Sequence, residues 1–232
     1  MFTLVTASNG GEYFEFLKQN LNNVFRIKNE NKYNINIIVY NLGMNNSELT
    51  FLKNNFDILI IDFDFNNYPE HVSLDKYNGI NCSYAWKPII IYEVCEKYGG
   101  IVHWMDTRNL YTNFDTLINT INYIYIYTPI SAESVHSRTH KSCLEYMNGN
   151  KYNNYKSRSG SVIGFNYNVD WVRDFVKEWK DLSLIKECIC PEGSNKNNHS
   201  QDQSILTLLY YKYHDLYNFK IIDHFIDFTI HN

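Results

Sequence analysis

The sequence predicts an α/β fold with a mixed, mostly parallel central sheet flanked by helices. Three observations predict it. Over the first 130 residues, short β-branched runs alternate with segments of helical period, the pattern of strands joined through crossover helices. The 232 residues suffice to bury a full core, and no Gly/Ser linker or repeat divides them. A short apolar run, IVHWMD at 101–106, ends abruptly in a carboxylate, and in open α/β sheets ligands gather beyond the carboxyl ends of strands.

The elements follow in order. TLVTA at 3–7 is the first strand, and EYFEFLKQNLNNVFRI at 12–27 places Phe14, Leu17, Leu21 and Phe25 on one helical face. INIIVYNLG at 35–43 is the second strand, NSELTFLKNN offers Ser47 near a helix start, and FDILIIDFDF at 56–65 is the third strand. In YAWKPIIIYEVCEKYGG, Pro88 sits where a first helical turn tolerates it and Gly99–Gly100 stand where a helix stops. The strand to Asp106 comes next. Beyond it, TNFDTLINTIN reads as a helix, YIYIYTPI as a strand, and residues 139–148 as a helix within a polar stretch. SGSVIGFNYN at 159–168 reads as a strand. VDWVRDFVKEWKDLSL is an amphipathic helix carrying Trp171, Phe175 and Trp179 four apart, CICPEGSNKNNHS a loop, and SQDQSILTLLYYKY a final helix.

Charge and composition narrow the function. Lys+Arg 21 against Asp+Glu 25 leaves a net charge of −4, so no global positive field favours nucleic acid or an anionic membrane. An anionic ligand must be caught by local groups. The chain holds 32 Asn and 20 Tyr with only 10 Gly and 4 Pro, a bias that A/T-rich codons produce. The Asn residues lie among apolar runs too regular for a disordered tract, while the Tyr excess suits an aromatic-lined, hydroxyl-binding cleft. Cys82, Cys95, Cys143, Cys188 and Cys190 form no C-x-x-C pair, which fits a reducing compartment. The start reaches a polar turn within eight residues, and no apolar run approaches the roughly eighteen residues that cross a bilayer. These features predict a soluble, cytoplasmic protein.

Three constellations could carry chemistry. Asp106-Thr107-Arg108 follows a strand, where the carboxylate suits a ribose hydroxyl or a divalent cation and the guanidinium a diphosphate; a strand-end Asp paired to Arg108 is the structural alternative. Asp62-Phe63-Asp64 is the only literal D-x-D, with both carboxylates on one strand face, although alternating Asp also blunts an edge strand. In His199-Ser200-Gln201-Asp202-Gln203, Ser200 and Gln203 have capping-box spacing and Asp202 suits the helix dipole. The functional alternative aims Asp202 and Gln203 into a cleft, where Asp202 orients or deprotonates a hydroxyl. His136 and His140 are i,i+4 but lack an H-E-x-x-H glutamate, and Tyr210, Tyr211 and Tyr213 belong to one half-buried helix.

Taken in order, TLVTA, IIVYNLG, FDF-NNYPEHV, YAWKPIII-EV-EKYGGIVHWMD, SGSVIGFN and CICPEGS-HSQDQSIL-LLYYKY resemble a nucleotide-sugar glycosyltransferase of the GT-A fold. The pattern is that of glycosyltransferase-like domains of animals and large DNA viruses, distantly similar to glycogenin-like and lipopolysaccharide galactosyltransferase-like enzymes. On the viral side of that resemblance, the compartment is the host cytoplasm.

The resemblance implies a single glycosyltransferase domain over 1–232, with a nucleotide-binding half at 1–110 and a sugar and acceptor half at 111–232. It implies a nucleotide-sugar donor of the UDP-sugar class and a glycan or protein acceptor. Thr6, Ala7 and Asn41 would border the base, Lys87 would reach the donor's phosphates or the Asp106 carboxylate, Arg108 the diphosphate, and Asp106 the ribose or a metal-bound diphosphate. Gly160, Ser161 and His199 would lie near the transferred sugar or the acceptor, and Asp202 with Gln203 at the reacting centre. Asp106 matches the first Asp of the family's D-x-D, which makes Asp62 and Asp64 a decoy. Arg108 replaces the usual second Asp and argues against dependence on Mn²⁺ or Mg²⁺. A degenerate module that binds without catalysis, and a metal-dependent phosphoryl-handling enzyme built on Asp62 and Asp64, are the competing readings.

Overall fold

The computed structural model describes residues 1–74, 84–226 and 228–230. β1 (Phe2–Ser8) is buried along nearly its whole length, as a strand covered on both faces must be. Helix α1 (Glu12–Asn31) turns Phe14, Leu17, Leu21 and Val24 inward and carries the chain to β2 (Ile35–Asn41). Helix α2 (Asn46–Asn55) is started by Asn45, not Ser47: the Asn45 side chain accepts from the Ser47 and Glu48 amides while Glu48 reaches back to the Asn45 amide. β3 (Leu59–Asp62) is shorter than expected, because Asp64 ends it by capping a 3₁₀ turn at Phe65–Asn67.

Helix α3 (Trp86–Tyr98) is apolar nearly all round, with Ile89, Ile90, Ile91, Val94 and Cys95 buried, and it is sandwiched as such a helix must be. Gly99 ends it at a φ of 59°, and at Gly100, φ 70°, a Cβ would stand 2.7 Å from the Met1 carbonyl oxygen, so only glycine lets the chain turn into β4 (Ile101–Met105) beside β1. Then come β5 (Asn109–Tyr111), α4 (Asp115–Ile124), β6 (Ile126–Tyr127) and β7 (Ile130–Ser134). The single strand expected at 123–130 is thus split. The helix expected at 139–148 is present as the shorter α6 (Lys141–Tyr146), capped by the His140 ring, and a further short helix, α5 (Val135–Arg138), precedes it. β8 (Lys156–Arg158), β9 (Val162–Asn166), α7 (Asp170–Ser183), α8 (Lys186–Ile189), α9 (Gln201–Tyr217) and β10 (Phe228–Ile230) complete the chain. Short α8 occupies part of the expected loop, and β10 pairs antiparallel with β5.

The main sheet has the order β3-β2-β1-β4-β9-β6. β1 to β4 run parallel, β9 is antiparallel to β4, and β6 is antiparallel to β9. Strands of the second half therefore extend the sheet begun by the first. The fold is α/β with a mixed, mostly parallel sheet, as the alternation of elements predicts. Each face carries its own apolar core. Leu4, Leu21, Leu52 and Leu117 unite α1, α2 and α4 on one face; Val5, Ile90, Phe175 and Leu209 unite α3, α7 and α9 on the other. The chain steps outward from β1 to β3 along the first face, then returns through α3 along the second to place β4 beyond β1. That reversal leaves a crevice between the carboxyl ends of β1 and β4.

Cys95, Cys143 and Cys188 are free and buried, whereas Cys190 is disulfide-bonded, against the expectation of five reduced thiols. Cys82 lies outside the described residues. No described helix is long and apolar enough to cross a membrane.

Candidate functional site

The crevice is a cleft of about 530 Å³. The end of β1 brings Ala7, Ser8 and Asn9 to it, the end of β4 brings Asp106, Thr107, Arg108 and Asn109, and Tyr84 and Trp86 line it from the start of α3. The strand ends that form these walls are held by the sheet.

Beside the cleft, α3 carries a lysine into the interior. Lys87 is 3% exposed. Its ammonium donates to the Gly160 carbonyl at 3.0 Å and forms ion pairs at 3.3 Å with both Asp106 Oδ1 and Asp202 Oδ2. The Tyr84 and Trp104 rings cover it at 5.1 and 5.4 Å. Burial pulls the ammonium's pKa down, but the Asp106 and Asp202 charges outweigh it, so the group stays a cation beyond the ordinary lysine range. Tyr84 holds its ring there at a φ of 101°, a costly backbone state for a residue with a Cβ.

The two carboxylates differ. Asp106 is 40% exposed and lines the cleft; its Oδ1 also accepts the Trp104 indole N–H at 2.7 Å, and its amide donates to the Ser161 carbonyl at 2.9 Å. Asp202 is 4% exposed and lies outside the cleft lining. Burial pushes its carboxyl up, Lys87 opposes this and Asp106 adds to it, leaving a pKa of about 6. With only a long ion pair at Oδ2, that oxygen lacks a directed hydrogen bond.

The start of α9 decides between the two sequence readings of this segment. Ser200 makes no side-chain cap bond, so the Ser200/Gln203 capping box does not form. Gln203 Oε1 instead accepts the Gly160 amide at 3.3 Å, and Asp202 turns to Lys87. Gly160 must be small here: a Cβ would meet Gln203 Cβ at 3.2 Å and Asp202 Oδ2 at 3.3 Å.

The structure thus brings Lys87, Asp106, Gly160, Asp202 and Gln203 together, with Ala7, Arg108 and Ser161 on the cleft wall. It separates the others. Thr6 is buried against α1 and lines a small space with Leu21 and Val24, its hydroxyl unpartnered. Asn41 is engaged elsewhere, its amide on Asp62 at 2.7 Å and its oxygen on the Gly43 and Met44 amides. His199 is 1% exposed: Nε2 lies 3.0 Å from the Cys188 carbonyl, Nδ1 accepts the His140 amide, and burial lowers its pKa to about 4. It anchors the loop and is not among the residues that line the cleft. Asp202 and Gln203, expected at the reacting centre, lie outside the cleft lining and contact Lys87 and Gly160. His136 and His140 fall on separate short helices and share no helical face.

A divalent cation does not fit the donor set. Lys87 occupies the space between the two carboxylates, and Arg108 stands where a second acidic ligand would. Its guanidinium lies 3.7 Å from Glu12 and 4.6 Å from the Phe16 ring centre. Asp62 and Asp64 do not converge either: one accepts from Asn41, the other caps a turn. Among the described residues, no group of three or more His, Cys, Asp or Glu could hold a metal.

Sequence reasoning missed Trp104 and Lys196. Trp104 shares a strand face with Asp106 at i−2, a legible spacing. Lys196 lines the cleft from the loop before α9 and is the lone cation of an otherwise uncharged S-N-K-N-N-H-S run.

No family model matches the chain, and no curated protein matches it in sequence. Solved structures do match. The galactosyltransferase LgtC, in complex with donor and acceptor sugar analogs, aligns with a TM-score of 0.59 at 14% identity over 90% of this chain and 70% of that one. Mouse xyloside xylosyltransferase 1 in its apo form aligns at 0.59 and 12% identity over 96% and 84%. The bifunctional glycosyltransferase WbbM aligns at 0.53 and 13% over 91% and 37%. At such identities the likeness establishes the fold: a GT-A-like fold distantly resembling known glycosyltransferases.

Proposed function

We propose that the chain is a glycosyltransferase that moves a sugar from a nucleotide-sugar donor, of the UDP-sugar class, to a hydroxyl acceptor on a glycan or protein. One observation carries the reading: a buried lysine clamped by two carboxylates at the edge of the cleft where the strand order reverses. A buried cation kept charged is costly to fold and is suited to stabilising negative charge that develops beside it.

The nucleotide occupies the 1–110 half, against Ala7, Ser8 and Asn9, and the sugar and acceptor lie toward Ser161 in the 111–232 half. Asp106, the only carboxylate among the described cleft residues, accepts a hydrogen bond from the ribose or the attacking hydroxyl. As the bond from anomeric carbon to phosphate oxygen breaks, the electron pair leaves with the diphosphate, the acceptor oxygen bonds to the anomeric carbon and its proton passes to Asp106 or to solvent, while Lys87 offsets the Asp106 charge beside the departing anion. Asp202 is a positioning residue: it fixes the ammonium from behind. No step needs a metal ion.

A second reading, a module of the same fold that binds without transferring, is favoured by the burial of Asp202 away from the cleft. A thermal-shift panel of nucleotide sugars, followed by a donor-hydrolysis assay on each that stabilises, separates the two. Stabilisation by UDP-sugars with UDP release supports the transferase. Stabilisation without release supports the module, and no stabilisation by any member overturns both.

A further inference from the structure

We propose that Lys196 holds the donor's diphosphate, an assignment that rests on the nucleotide-sugar reading above. A net charge of −4 requires local compensation if a dianionic linkage is to enter the cleft. Two cations near the β4 end already have acidic partners. Lys87 is matched by Asp106 and Asp202, and Arg108 leans away onto Glu12 and the Phe16 ring. The charged residues lining the cleft are Asp106, Arg108 and Lys196, and of the cations only Lys196 makes no ion pair among the described residues. Its side chain is exposed, so its ammonium reaches a ligand without breaking a contact.

The loop that carries it is built to hold still. Arg138 Nη1 donates to the Lys196 carbonyl at 2.6 Å, and the Ser200 amide donates to the Arg138 carbonyl at 3.0 Å. Asn195 and Asn198 close the turn around Lys196 through side-chain bonds at 2.8 and 2.9 Å. His199 ties the far end to the Cys188 carbonyl and the His140 amide. These contacts fix the backbone of one exposed lysine at the cleft, so the ordering cost is met before the ligand arrives. His199 and the local asparagines thereby serve the site without touching the ligand.

Calorimetry of UDP, uridine and inorganic pyrophosphate against the wild type, Lys196→Gln and Lys196→Arg tests this. Lys196→Gln is expected to weaken UDP and pyrophosphate by roughly tenfold or more, the loss of one charge-assisted contact, with uridine affinity and melting temperature unchanged. Lys196→Arg should restore most of the loss. UDP bound equally by the wild type and Lys196→Gln overturns the role of Lys196 and leaves the nucleotide-sugar reading standing. Pyrophosphate bound through Lys196 with no binding of UDP supports the anion site and overturns the nucleotide-sugar reading. No binding of UDP or pyrophosphate by the wild type overturns both.

Discussion

Asp202→Asn should make the protein more stable at alkaline pH. The carboxyl's pKa stands at about 6 in the fold against an ordinary value of 3.8. A raised acid pKa means that the folded state binds the proton more tightly than the unfolded chain, so the cost is fully present above pH 6 and fades below pH 4. Two pH units at about 1.4 kcal/mol each set that cost at about 3 kcal/mol at pH 8 and about 0.5 kcal/mol at pH 4. Asn mimics the protonated acid and keeps Lys87 paired with Asp106. Urea unfolding of both proteins at pH 8 and pH 4 reads the difference directly. A variant less stable than the wild type at pH 8, or equally stabilised at both pH values, refutes the reasoning.

Lys87→Met leaves Asp202 buried without its counter-ion and should cost about 3 to 5 kcal/mol in urea unfolding; adding Asp202→Asn to it should recover much of the loss. His103, fully buried with both ring nitrogens unpartnered, has its pKa lowered to about 3 by burial. The unfolded chain therefore takes up that proton first as pH falls through 6.5, and the wild type should lose about 2 kcal/mol more than His103→Phe between pH 7 and pH 5. Mn²⁺ should leave both the melting temperature and UDP-sugar turnover unchanged, and turnover should survive EDTA; restoration by Mn²⁺ after EDTA abolishes activity would contradict the ammonium-centred site.

The strands and helices of the first half were legible because each is strongly patterned and its crossovers are short. The place of Asp106 at the carboxyl end of β4 was legible as well, since the apolar run IVHWM stops there. The second half was less so. The break at Thr128–Pro129 and the change of partner from β9 to β8 are set by tertiary pairing, which leaves little trace in a run such as YIYIYTPI. His199 reads as a site residue because it precedes a helix start, yet its partners, the His140 amide and the Cys188 carbonyl, come from distant backbone that no local pattern announces. Asp202 and Gln203 invert the case. Their spacing from Ser200 suits a cap, and only the packing of Gly160 and Lys87 against α9 shows where the side chains go.

The central claim is that this cleft releases a diphosphate from a nucleotide sugar with Asp106 in contact with the donor or acceptor. UDP release from a panel of UDP-sugars, measured with EDTA present for the wild type and for half-exposed Asp106→Asn, tests it most directly. Release by the wild type and a fall of about tenfold or more in the variant, the loss of one charge-assisted contact, are expected. No release from any donor, or undiminished release by Asp106→Asn, would contradict it.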